Sequence, residues 1–225
     1  MLIADDILAG IVKGILRRKP GIPVYKSISH RINQSIFNTL HIWKGLFIGP
    51  LSIVLSRLSW EIIQTLVGFF TSHFSNLFRD VQAVKYVESV TVLEGGGMGG
   101  SVSFGSYILL FPGFPAQVGH YLFMHEFGHS LQSRESGPLY LFKYGVPSLL
   151  TDNFAWMEKE ANLRSILYFP QHKNALIRDD KTPPAKELNH AKWWEYLLLF
   201  LGIGIIIIPY LNTEKAHLRN PKNNN

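Results

Sequence analysis

The sequence predicts an α+β fold: a helix-rich core with a few strands and additional apolar helices around it. Three observations carry this. Apolar residues recur at helical spacing through the first 85 positions. Two short runs rich in Val, Ile and Tyr flank the glycine cluster at 95–100. A further helical pattern follows at once and carries two histidines four residues apart. At 225 residues, 47% of them hydrophobic and 17% charged, the chain suffices for one substantial domain or a compact core with helical additions.

Residues 1–85 form an apolar helical region. Ile28, Ile32, Ile36, Leu40 and Trp43 share one helical face, and Leu55, Leu58, Ile62, Leu66 and Phe69 share another. Pro50, Ser56, Arg57 and Glu61 interrupt the stretch 46–70, which predicts core or interfacial helices. Residues 86–175 form the core. "VESVTVLE" predicts one strand, "GGGMGG" a flexible turn, and "SVSFGSYILL" a second strand ahead of the histidine helix. No Lys-Ser/Thr follows the glycines and their spacing fits no dinucleotide fingerprint, so a turn is the better reading than a phosphate loop. Residues 176–192 are a polar linker, and residues 193–225 an apolar segment with a polar tail.

Composition narrows the function classes. The chain has no cysteine, so any metal is held by His, Asp or Glu. A formal charge of +6 is modest, and the basic residues form no stripe interleaved with aromatics, which argues against nucleic acid as a partner. Basic residues beside apolar segments fit a membrane surface better. The first twenty residues place their acids before their basic residues, which is not the order of a secretory signal peptide. No acidic residue occurs between Asp6 and Glu61.

"FMHEFGHSLQ" (123–132) concentrates the chemistry. On a helix over 117–132, with His125 at zero, His129 falls at about 40° and Glu126 at about 100°. Tyr121 and Gln132 border that arc, and Phe123, Phe127 and Leu131 lie on the far side as a core anchor. Both imidazoles can therefore reach one ion, with Glu126 placed beside a water bound to it. The alternative is a buried His pair sharing a hydrogen bond. A catalytic zinc needs a third protein ligand.

Family signatures supply that ligand. The continuation "SLQSRESG" lacks the third histidine of metzincins, and the chain has no Asp-Gly of the intramembrane site-2 kind. Downstream, "WMEKEANLRS" fits the gluzincin pattern Glu-x-x-Ala-(Asp/Asn) as Glu158 to Asn162. Over about residues 88–170 the chain resembles gluzincin-type zinc metallopeptidases, and is similar to metallopeptidase modules of bacterial polymorphic (Rhs-type) toxins. The resemblance implies a zincin-like core, with Zn2+ held by His125, His129 and Glu158 and Glu126 as general base in peptide-bond hydrolysis. The substrate would be a peptide or protein. An inhibitor or immunity partner leaves no motif in this chain.

Helical phasing separates the two competing glutamates. With Glu158 at zero, Asn162 and Ser165 lie at about 40° and −20°, while Glu160 and Arg164 lie at about 200° and 240°. Glu160 and Arg164 are then predicted to be a solvated i,i+4 pair on the surface. Asn162 is placed to accept the outer N–H of a ligating histidine and fix its tautomer. Tyr144, Tyr168, His120 and His190 are donors that could face an oxyanion, each with a structural role as the alternative.

The stretch 196–211 is almost free of polar groups, yet short of the roughly 20 residues of a membrane span. Trp193, Trp194 and Tyr210 sit at its ends, with Lys192 and Lys215 beyond. Membrane association through 193–211 and a buried strand or core helix fit equally, with "GIIII" favouring strand. The rival to an enzyme is a membrane-inserting or interaction protein with a buried His pair.

Overall fold

The computed structural model describes residues 3–97, 99–150, 155–176, 192–200 and 206–212. It is an α+β fold with a small mixed sheet between two layers of helices. Helices α1 (Ile3–Leu16), α2 (Val24–Gly45), α3 (Leu51–Leu58) and α4 (Ile62–Phe78) come first. Strands β1 (Ala83–Val87), β2 (Val90–Glu94), β3 (Val102–Phe104) and β4 (Tyr107–Leu110) follow, then α5 (Tyr121–Ser136). Beyond it come the short α6 (Val146–Leu150), then α7 (Ala155–Tyr168) and α8 (Trp193–Phe200).

The sheet has strand order β1-β2-β4-β3, with β2 and β4 parallel and both outer pairs antiparallel. Two expected strands are therefore four. "VESVTVLE" contains a hairpin turn at Glu88–Ser89, where both residues adopt positive φ (48° and 64°). Such a turn usually announces itself with Asn-Gly or Asp-Gly, and Glu-Ser carries no such mark. "SVSFGSYILL" likewise folds back at Gly105–Ser106, with Gly105 at φ 57°. The glycine run joins β2 to β3.

Alternation along the central strands gives each sheet face its own core. Val90, Val92, Ile108 and Leu110 pack with Phe123, Met124 and Phe127 of α5. Leu93, Tyr107 and Leu109 pack on the opposite face with Ile42 of α2 and Phe69 of α4. Histidine helix and N-terminal helices thus lie on opposite sides of the sheet.

The N-terminal helices carry an unusual interior. Asp6 Oδ1 accepts hydrogen bonds from Ser35 Oγ (2.8 Å), Thr39 Oγ1 (2.9 Å) and Asn76 Nδ2 (3.2 Å). Arg57 is fully buried; its Nε donates to Ser106 Oγ (2.9 Å), and its Nη1 to the carbonyls of Gly45 (3.1 Å) and Ile48 (2.6 Å). Its other terminal nitrogen donates to the Ser89 carbonyl. One guanidinium therefore ties both hairpin turns of the sheet to the end of α2, with every one of its three nitrogens meeting an acceptor, as a buried charge requires. Gly10 and Gly14 of α1 meet the backbone of α2 at Ile32 and Ile28, where a Cβ would approach to 2.6 and 2.5 Å. Leu40, Trp43, Leu55, Leu58, Ile62 and Leu66, aligned in the sequence, point outward rather than into the core.

Most of the linker region (177–191) lies outside the described residues, as do 201–205 and 213–225. Residues 206–212 are helical, which corrects the strand favoured by "GIIII". The first turn of α8 docks on the core: Lys143 and Glu195, both buried, pair at 3.2 Å, and the Tyr196 hydroxyl donates to the Ser136 carbonyl (3.3 Å).

Glu195→Ala is therefore expected to destabilise the protein by about 3–5 kcal/mol, because it takes the carboxylate from a buried lysine. Urea unfolding of the two proteins measures this; equal midpoints would mean that α8 contributes nothing to the core.

Candidate metal centre

Two crossing helices build the site. Phe123 and Phe127 fix the back of α5 in the core under the sheet, so His125 and His129 project from the opposite face. Gly128, between them, meets α7: a Cβ there would lie 2.0 Å from the carbonyl oxygen of Ala161. Only a residue without a side chain allows this approach. It sets Glu158 and Asn162 of α7 opposite the two histidines.

The polar atoms converge. His125 Nε2 lies 2.9 Å and His129 Nε2 3.3 Å from the same Glu158 oxygen, Oε2. One ligand atom from each of the three residues falls within 4.8 Å of the others. The two rings stand nearly perpendicular (88°), with centroids 4.8 Å apart. The side chains keep 22%, 17% and 38% of their exposure for His125, His129 and Glu158, so the cluster opens to solvent.

The outer nitrogens are anchored. His125 Nδ1 donates to Asn162 Oδ1 and His129 Nδ1 to Gln132 Oε1, both at 2.8 Å. Gln132 is oriented in turn by its amide nitrogen, which donates to the Met157 carbonyl at 3.0 Å. With Nδ1 bonded to Asn162 or Gln132, loss of the Nε2 proton would leave each imidazole with its Nε2 lone pair toward the cluster, the tautomer a metal requires. Gln132 is a positioning residue that the sequence placed only at the border of the arc. Its signal is the spacing His-x-x-Gln on one helix, visible in retrospect.

Glu126 is buried (5% exposed) and, among the described residues, makes no side-chain hydrogen bond. Burial raises its pKa, against the pull of His129 and His125 and with the push of Glu158. Burial also opposes charge on His129, but the Glu158 hydrogen bond and the charges of Glu158 and Glu126 outweigh it and push its pKa up to about 9. Burial would raise the carboxyl of Glu158; hydrogen bonds from His125 and His129 instead hold it well below the usual range. A donor set of two imidazole nitrogens and one carboxylate oxygen with oriented rings fits zinc.

The four donors considered for an oxyanion sit elsewhere or are committed. The Tyr144 hydroxyl donates to Glu160 Oε1 (3.1 Å), and that of Tyr168 to Glu88 Oε2 (3.3 Å). His120 packs on Phe114 and Tyr121, and His190 lies outside the described residues. Tyr140, which the sequence did not single out, is buried, and its hydroxyl has no hydrogen-bond partner among the described residues. Burial raises its pKa, and the charges of Glu126 and Glu158 act in the same direction.

Glu160 corrects an expectation. It does pair with Arg164 (2.7 Å), but both are buried, at 3% and 7% exposure. The back of α7 is not solvated: Tyr144 covers Glu160, and Arg164 reaches across to Glu135 of α5. The pair links the two helices of the site from behind.

Comparison of the chain with protein-family models, curated proteins and solved structures finds no match.

Two substitutions test the scaffold. Gly128→Ala should separate α5 from α7, cost about 1–3 kcal/mol and abolish metal retention; thermal unfolding and metal content check this. Glu160→Gln should cost about 3 kcal/mol, as for a broken buried pair, rather than the few tenths of an exposed one. An unfolding midpoint unchanged from the parent protein would return Glu160 to the surface.

Proposed function

We propose that this chain is a zinc-dependent peptide-bond hydrolase of the gluzincin kind, with a zincin-like core. The observation that carries this is the convergence of both Nε2 atoms on one Glu158 oxygen beside a buried carboxylate, Glu126, that makes no side-chain hydrogen bond among the described residues. The openness of the cluster favours it over a buried His pair.

His125 and His129 through Nε2, and Glu158 through a carboxylate oxygen, would hold the ion. A zinc ion, when bound, supplies the Lewis acidity that brings a water's pKa to about 7. Glu126 accepts the proton of the attacking water and passes it to the leaving amine nitrogen. Its raised pKa makes it the stronger base in the first half of that exchange. Asn162 and Gln132 hold the imidazoles in register. Tyr140 is the donor this reading assigns to the carbonyl oxygen as charge develops there. Strand β3, at the sheet edge and packed beside α5, offers backbone groups along which an extended peptide could add as a further strand. A delivered bacterial toxin or a membrane-associated protease are the settings in which such a module would act.

Purified protein should hold close to one zinc per chain. Glu126→Gln should keep that zinc and lose hydrolysis of an unfolded protein such as casein, whereas Glu158→Gln should lose zinc. Tyr140→Phe should keep zinc and lower kcat by about 10²–10³. Zinc content near zero in the parent protein, or full activity in Glu126→Gln, would remove this function.

A further inference from the structure

We infer that the N-terminal helices present a face that inserts into the hydrocarbon of a lipid bilayer. The inference is independent of the metal site, which lies across the sheet.

The polarity of α4 is inverted relative to a helix of a water-soluble domain. Its outward residues are Ile63, Leu66, Val67, Phe70, Phe74 and Phe78, between 40% and 61% exposed. Its buried residues include Gln64, Thr65, Ser72, His73, Ser75 and Asn76. Helix α1 repeats the inversion, burying Asp6, Gly10, Lys13 and Gly14 while Leu8, Val12, Ile15 and Leu16 face outward. In water the apolar stripe of a helix turns to the core. Where the solvent is acyl chain the preference between helices reverses, and small residues and buried hydrogen bonds join them. Gly10 and Gly14 against α2, and the Asp6 network, are joints of that kind.

Charge argues for a bilayer rather than a protein partner. From Asp6 to Glu61 the chain has no acid, and Arg17, Arg18, Lys19 and Lys26 are exposed at the α1–α2 turn. They suit anionic headgroups. A groove of about 370 Å³ between α1 and α4, walled by Leu8, Val12, Leu16 and Phe78 with Arg17 beside them, joins the two faces. Its walls are mostly apolar, continuous in character with the outward faces of both helices. No single helix among the described residues is long and apolar enough to cross a membrane, but α3 and α4, bent by 88°, meet the length and composition of a broken or re-entrant span together.

The absence of cysteine allows a site-specific test in the full chain. Phe70→Cys on α4 and Lys173→Cys on the metal-site side each carry one environment-sensitive NBD label, and protein diluted from detergent is mixed with phosphatidylcholine vesicles containing about 30% phosphatidylglycerol. The protein should float with the vesicles and stay bound in about 0.5 M NaCl, because apolar insertion is not screened. The label at 70 should brighten several-fold and shift to the blue, and the label at 173 should not. Replacing Phe70 and Phe74 with Asp should lower the vesicle-bound fraction about ten-fold, with the circular-dichroism melt confirming a folded protein. A detergent-free monomer that stays at the bottom of the gradient would overturn the inference. So would a discrete dimer whose label at 70 is already blue-shifted before vesicles are added, since a second copy would then cover the face.

Discussion

The close crossing of α5 and α7 at Gly128 and Ala161 is the constraint on which the candidate site depends. A backbone contact of this kind cannot be relaxed by a rotamer change, so it holds the two helices at close separation. Everything that faces the cluster follows from it. Glu158 comes within reach of both imidazoles, Asn162 of His125 Nδ1, and the amide of Gln132 of the Met157 carbonyl. Behind the crossing, Arg164 bridges Glu160 and Glu135 and holds the same two helices from the other side.

That brace explains how a cluster of ionisable groups can be kept together. His125, His129, Glu126 and Glu158 perturb one another, and the buried Glu126 makes no side-chain hydrogen bond among the described residues. Such an arrangement is costly unless the surroundings over-determine it. The sheet-side anchors Phe123 and Phe127 and the rear ion pair supply that over-determination.

The sheet divides the molecule into two environments. On one side apolar side chains turn inward and polar chemistry opens to solvent, the ordinary order of a soluble domain. On the other, polar groups turn inward around Asp6, Asn76 and Arg57, while phenylalanines and leucines turn outward. Arg57 couples the halves, because one side chain fastens α3 and the end of α2 to both turns of the sheet. A membrane-facing layer held in this way would keep the metal cluster at a fixed side of the bilayer surface.

The α+β class, the helix under the two histidines and its core-facing Phe123 and Phe127 were legible in the sequence, because helical periodicity is local and the spacing of residues on one helix fixes their common face. Phasing of α7 likewise separated Glu158 from Glu160. It could not say what lies behind the helix, and so the Glu160–Arg164 pair, correctly spaced, was placed in water when Tyr144 and Glu135 enclose it. The hairpin at Glu88–Ser89 was hidden because its left-handed residues are not glycine or asparagine. Gln132 gained its meaning only from the crossing of separate elements, where its amide meets the Met157 carbonyl. Periodicity also shows that a helix has an apolar stripe without showing where it points. For α1 and α4 that direction was decided by buried partners far along the chain, Asp6 with Ser35 and Asn76, and Gly68 with Phe104. A sequence fixes which residues share a face; only tertiary packing decides what that face meets, because the choice depends on contacts between segments whose spacing along the chain carries no period.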